Sequence, residues 1–388
     1  MVKRFAMVVG LLVVVFVFGS ARSASAAGPP RWVFVNDNPA TSCGDGHAFP
    51  SISAGLAAVA IGGTVYVCPG TYTEDVVVTK SVTLLGVGAT VAPSASDTSP
   101  LSGIVGNNAF TVLSDFVTIR GFTVEGATGD GILVIGDHAL IDAVTALGNG
   151  NDGINVDGSS YSTVQNSTVS DNAGGIELAN DPATFPPGAV AALGVHGSSL
   201  TASYDTVSGN QVVGNPHACG ILLVDHAGVS DALGIHDNLV TGNVVVNNAL
   251  SGFGAGILLA SSVPGGAVWN NTVTDNTVSG NGLSGVTVHA HLSGQNLNGN
   301  VITQNVIGTN NVRGGAPYFL EPSDPQTTGI FIGSNSPILI TVTGNTISND
   351  VYGIFEAGRP FYLNVLGATS NTFTHVAIPI GRSVTYFG

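Results

Sequence analysis

Asn155, Asp157, Glu177 and Asp181 bring three carboxylates and an amide into one short stretch of the chain, with Asn155 and Glu177 separated by 22 residues. If that step is one turn of a repeating structure, Asp157 and Glu177 lie one coil and two strand residues apart, about 8 Å between backbones. Such a pair can straddle a water molecule as acid and base, the arrangement of inverting glycoside hydrolysis. Asn155 would orient the sugar and Asp181 would border the site. The same carboxylates suit Ca²⁺ once loops draw them closer. The plain alternative is that they decorate a solvated face.

His289 and His291 stand two apart, on one face of a strand, and begin a Zn²⁺ or Cu²⁺ site that lacks a third ligand in its own segment. Asp225 and His226, which end another apolar run, are candidate substrate-binding residues, as are Tyr318 and Phe319 in an insertion where their rings can stack on a sugar.

The elements that position these residues are set by a repeat. Gly131, Gly153, Gly175, Gly220, Gly256, Gly285, Gly329 and Gly353 each precede Ile or Val, with gaps of 22, 22, 45, 36, 29, 44 and 24 residues. A step near 22 with doublings and insertions is the signature of a solenoid. In each copy the Ile and the residue two after it face the interior, so the second and fourth residues after Gly face out. This ruler puts Asn155, Asp157, Glu177 and His289 outward.

A second phrase repeats Asn every five residues, as in Asn238, Asn243 and Asn248. A five-residue step is a short strand plus a bend, and stacked coils would align the Asn side chains into ladders, with Asn taking the left-handed bend positions. Near the N-terminus, Arg31 to Asn36 reads as a strand and Phe49 to Ala60 as a short amphipathic helix capping the stack. Thr64–Val67, a turn at Pro69 and Gly70, Val76–Val78 and Val82–Leu85 read as the first three-sided coil. The fold class is therefore all-β, a right-handed parallel β-helix of about twelve coils. Its parts are a leader (1–27), a strand and capping helix (28–63) and the solenoid (64–388).

Lys3 and Arg4, the apolar run Met7 to Phe18 and the small residues Ala24 to Ala26 make a secretory signal peptide, too short in its apolar run for a membrane span. Without it, six basic residues (Arg31, Lys80, Arg120, Arg313, Arg359, Arg382) face 24 acidic ones. That balance excludes nucleic acid and favours neutral sugars, divalent cations or solubility alone. Cys43 and Cys68 are expected to close a disulfide in an oxidising compartment, contributing about 3 kcal/mol. Cys219 is expected to be a buried, inert thiol.

From Phe49 through Asn349 these repeats resemble the pectin-lyase-like superfamily of right-handed parallel β-helix proteins. Cys43, Phe49, Cys68, Pro69, Gly70, Thr71 and Tyr72 resemble the N-terminal coil of its secreted bacterial members. The resemblance implies fold more than activity, since the superfamily holds lyases, hydrolases, epimerases, adhesins and periplasmic copper-site proteins. The Arg or Lys base beside clustered Asp of pectate lyases is missing. So are the paired Asp, Gly-His-Gly and basic triplet of polygalacturonases, and the calcium-binding nonapeptide.

The sequence reading is a secreted, monomeric protein, extracellular, periplasmic or on the cell surface, that interacts with a polysaccharide or cell-surface glycan without established catalysis. The alternatives are a glycoside hydrolase or lyase using Asp157 and Glu177, and a periplasmic copper or zinc handler using His289 and His291. No cofactor beyond Ca²⁺ is implied.

Overall fold

The computed structural model describes residues 28–38, 43–44, 47–94, 107–181, 201–228, 233–313, 326–359 and 362–384. The strands stack into one sheet of twelve and two of eleven, with a fourth of three strands inserted at Thr201–Ser203, Gly234–His236 and Val268–Trp269. Neighbours in each sheet are parallel and come from successive coils. All eight Gly-Ile strands lie in one eleven-stranded sheet, here called the long-strand sheet. Ile132, Ile154, Ile176, Ile221, Ile257, Val286, Ile330 and Ile354 form one column in register, all wholly buried. Burying one such branched side chain contributes about 1.5–3 kcal/mol, so this column alone is a large part of the core.

The Asn ladders form as expected. Asn243 donates its backbone N–H and its Nδ2 to Oδ1 of Asn276, at 2.9 Å each, and its Nδ2 also reaches the Val207 carbonyl of the coil before. The expectation about their backbone was wrong, because the left-handed residues are Asp237, Gly242 and Asn247, each just before a ladder Asn. The bend needs positive φ one residue earlier, and the following Asn turns inward, where its amide satisfies the strand edges that the corner leaves unpaired.

The two repeated phrases are coupled. A Cβ on Gly153 would stand 2.8 Å from Nδ2 of Asn172, and one on Gly256 would stand 2.7 Å from Nδ2 of Asn281. Gly precedes Ile because an interior valine, Val169 or Val278, and the ladder amide beside it together fill that space.

At the N-terminal end the helix is shorter than expected, Ile52–Ala58, capped by Ser51, whose hydroxyl accepts from the Ala54 N–H at 3.1 Å. Ile52 and Leu56 bury against the first coils. Gly70, expected in a turn, begins the strand Gly70–Tyr72, which pairs with Ala89–Val91. Cys43 and Cys68 are disulfide-bonded. At the other end the Ile column continues to Ile380, and the second interior column, which passes through Ile332, finishes with Glu356 beside Arg382, bonded at 2.8 Å, in place of aliphatic residues. No helix among the described residues is long and apolar enough to cross a membrane.

Candidate functional site

Register places Asn155 directly beside Glu177 on the outward side of the long-strand sheet. Glu177 is mostly enclosed, with 13% of its side chain exposed, and its Oε1 lies 3.4 Å from Nε2 of His226, which follows the next strand of the same sheet. The His226 backbone is held by Oδ1 of Asn180, 2.8 Å from its N–H. Burial opposes a charged imidazole here. The hydrogen bond and charge of Glu177, then the charges of Asp181 and Asp157, outweigh it and leave the His226 pKa above its ordinary value.

Two carboxyls absent from the sequence reading complete the cluster. Asp130 and Asp152 stand at the entrance of successive strands, each just before the repeat's Gly, and both are buried. Oδ1 of Asp130 accepts from Nδ2 of Asn151 at 2.8 Å and from the Asp152 N–H at 3.1 Å. Burial and the charge of Glu177 push Asp130 up to about 7, although donors on Asn151, Asp152 and Asn155 favour its anion. Asp152 lies well above the usual carboxylate range because it is buried, faces the charges of Glu177 and Asp130, and shares a hydrogen bond with Glu177. The next coil makes room for it with Gly174, where any Cβ would stand 2.0 Å from Oδ1 of Asp152. Oδ1 of Asn155 is buried without a hydrogen-bond partner among the described residues. The result is three carboxyls on three successive coils, at least one holding a proton at neutral pH, with a histidine against the third and an unused amide oxygen between them.

The other expected residues are placed differently. Asp157 was expected to face solvent across a water from Glu177. It is instead wholly enclosed, and its Oδ1 accepts the Asp181 N–H at 2.7 Å, fastening the turn after the next strand. Asp225 fastens a turn in the same way, its carboxylate accepting from the N–H groups of Ala227, Gly228 and Ala267. An Asp that closes a strand can reach backbone donors in the following bend, and at these positions that use wins over exposure.

His289 is outward on its strand yet wholly buried; burial, helped by His291, pushes its pKa down to about 3, and burial also lowers His291. Asp225 is in register with Ser261, and Ser261 with Ala290, so it stands two coils from this pair. No group of three or more His, Cys, Asp or Glu among the described residues is placed to hold a metal ion. Tyr318 and Phe319 lie outside the described residues, as do residues 1–27. Cys219 is buried beside the cluster, its sulfur accepting the Ala255 N–H at 3.2 Å and its thiol pushed up to about 12 by burial.

The sequence did carry a signal for the missed carboxyls. Asp-Gly-Ile occurs twice in succession, at 130–132 and 152–154. Counting only forward from Gly passed over it.

Residues 102–302 match the family profile described as the right handed beta helix region. The chain belongs to this family. Its fold is that of the pectin-lyase-like superfamily. Among solved structures, the A-module of the mannuronan C-5 epimerase AlgE4 from Azotobacter vinelandii is similar at a TM-score of 0.57 and 18% identity, over 84% of this chain and 91% of that one. The A-module of AlgE6 from the same organism gives 0.56 and 19%, over 87% and 91%. The catalytic domain of Agl-KA gives 0.56 and 16%, over 85% and 63%. At these identities the likeness is one of fold. No curated protein matches the chain in sequence.

Proposed function

We propose that this β-helix protein is exported and acts on a carbohydrate polymer through proton transfer by Asp152 and Glu177, with Asp130 and His226 setting their protonation. The observation that carries this reading is the pair Asp152 and Glu177, in which the buried Asp152 shares a hydrogen bond with Glu177 and is held well above the usual carboxylate range by burial and by the charge of Glu177. Environments that split the protonation of neighbouring carboxyls supply an acid and a base at the same pH. Because the two are in contact, no water fits between them. The geometry differs from the water-straddling pair expected of Asp157 and Glu177, and it favours proton transfer to and from the sugar itself.

Supporting the substrate class are the mannuronan epimerases among the similar folds and the scarcity of basic residues that would bind polyphosphates. The Cys43–Cys68 disulfide supports export. Asp157 and Asp181 act in this reading by holding the turn beside His226.

The test is turnover on a panel of neutral and uronic polysaccharides, read as reducing ends, as unsaturated ends and as change of sugar configuration. Glu177→Gln and Asp152→Asn are each expected to reduce turnover by about 10²-fold or more, with unfolding temperatures close to that of the parent. Turnover equal to the parent in both variants refutes the assignment, and so does a parent inert across the whole panel.

A further inference from the structure

Six aromatic rings from six successive coils stack along the solenoid: Phe116, His138, Tyr161, Tyr204, His236 and Trp269. Centroids are 4.6, 5.1, 5.0, 6.0 and 4.5 Å apart in that order, and every step but Tyr204 to His236 is face to face. Its first four rings are open to solvent, with Phe116, Tyr161 and Tyr204 at 61%, 54% and 50% exposure, whereas His236 and Trp269 are half-buried.

The first four residues sit at one bend of their coils, and all have left-handed backbones, φ between 57° and 61°. Their backbones confirm the column, since the N–H groups of Phe116, His138, Tyr161 and Tyr204 bond to carbonyls of the next coil. Bulky aromatic residues rarely adopt this conformation, whereas Asn, Asp and Gly do so readily. The next two coils show the inexpensive solution, with Asp237 and Asn270 at the same bend. Four consecutive coils thus accept backbone strain in order to display rings, and ring stacking with its faces already covered offsets that strain only in part. Strain kept over several coils at an exposed position points to use.

What the stack offers a ligand is edges. Stacked rings hide their negative faces and present a positive rim, joined here by the Tyr161 and Tyr204 hydroxyls and the imidazole of His138. One such group appears per coil, about 5 Å apart, in a straight line along the axis. A ligand matching this line is long, linear, rich in ether and hydroxyl oxygens, and uncharged, because the chain carries a formal net charge of −15. The stripe shares coils with the carboxyl cluster: His138, Tyr161 and Tyr204 come after the strands entered by Asp130 and Asp152 and carrying Glu177, at the bend before the twelve-stranded sheet. We infer that this aromatic stripe is a non-catalytic binding strip for a linear neutral polysaccharide lying parallel to the solenoid axis. It requires no turnover, so it stands or falls separately from the acid–base assignment.

The test is affinity electrophoresis of the full chain in native gels containing hydroxyethylcellulose, galactomannan or alginate, on the parent, on Tyr161→Asn with Tyr204→Asn, and on the ladder variant Asp350→Asn. Asn relieves the left-handed strain, so the double variant is expected to unfold at the same or a higher temperature. Its affinity for a neutral polymer is expected to fall about tenfold, while Asp350→Asn, outside both the stripe and the carboxyl cluster, migrates as the parent. If the double variant does not fold, Phe116→Asn at the end of the stack replaces it, with a smaller loss expected. Equal retardation of ring variants and parent overturns the inference, as does a parent retarded by neither neutral polymer or by alginate alone.

Discussion

Two sets of buried carboxyls lie in this solenoid, and burial raises the pKa of both. Asp205 and Asp350 belong to the ladders. Each stands where neighbouring coils carry Asn, each accepts the N–H of the preceding coil's ladder residue (Ser162 at 2.7 Å, Asn310 at 3.0 Å), and each has an enclosed Oδ2 without a partner among the described residues. Asp130 and Asp152 belong to the outward cluster, where the charge of Glu177 adds to burial. For Asp350, by contrast, burial alone raises the pKa, to about 7. A perturbed carboxyl is therefore not in itself a site. At Asp205 the charge of Asp137 adds to burial as well, so what separates the two regions is that Asp152 shares a hydrogen bond with the carboxyl that perturbs it: in the ladder a protonated Asp imitates Asn, whereas in the cluster the proton has somewhere to go.

Turnover should separate the regions most strongly, since Asp152→Asn is expected to remove it and Asp205→Asn to leave it intact.

Stability should separate them next. Asn243→Ala strips the ladder of a residue whose amide bonds two coils, leaving the amide groups of Asn210, the Val207 carbonyl and Oδ1 of Asn276 short of partners. The expected loss is about 3 kcal/mol by denaturant unfolding, with any turnover kept in the folded fraction. A loss below about 0.5 kcal/mol would mean that the ladder is dispensable.

The smallest effect is one of pH. The folded pKa of Asp350 is raised from its ordinary 3.8 to about 7, so its contribution is fully present below pH 4 and is lost as pH rises toward 7. Asp350→Asn is expected to stabilise the protein by about 1–2 kcal/mol at pH 7.5 and not at pH 3.5. Equal effects at both values would show that the carboxyl is solvated.

The fold was legible because its determinants repeat at the length of a coil. A Gly-Ile pair recurs where the next coil's carbonyl, an interior side chain or a ladder amide packs under the strand, the amide at Gly131, Gly153, Gly220, Gly256 and Gly285, and the repeated pair marks the register over eight strands. The carboxyl cluster was half legible. Asn155 and Glu177 lie on the forward count from Gly, but Asp130 and Asp152 lie one residue before it, at a corner where strand alternation no longer tells inside from outside. Asp157 and Asp225 were misjudged for a related reason, because closing a turn depends on backbone donors that no side-chain pattern reveals. The aromatic stripe was invisible, since its members change type from coil to coil and follow insertions of unequal length. Only the stacked backbone shows that Tyr161 and Tyr204, 43 residues apart in sequence, are adjacent.

Burial and the charge of Glu177 together hold Asp130 and Asp152 above the usual carboxylate range. Carboxyl carbon NMR of Asp- and Glu-labelled protein, followed from pH 3 to 9 in the parent and in Glu177→Gln, tests it most directly. The account predicts that Asp130 titrates near pH 7 in the parent, that Asp152 stays protonated well above the usual carboxylate range, and that both move down when the Glu177 charge is removed. Asp130 and Asp152 titrating as ordinary carboxylates, or at unchanged pH in Glu177→Gln, would contradict it.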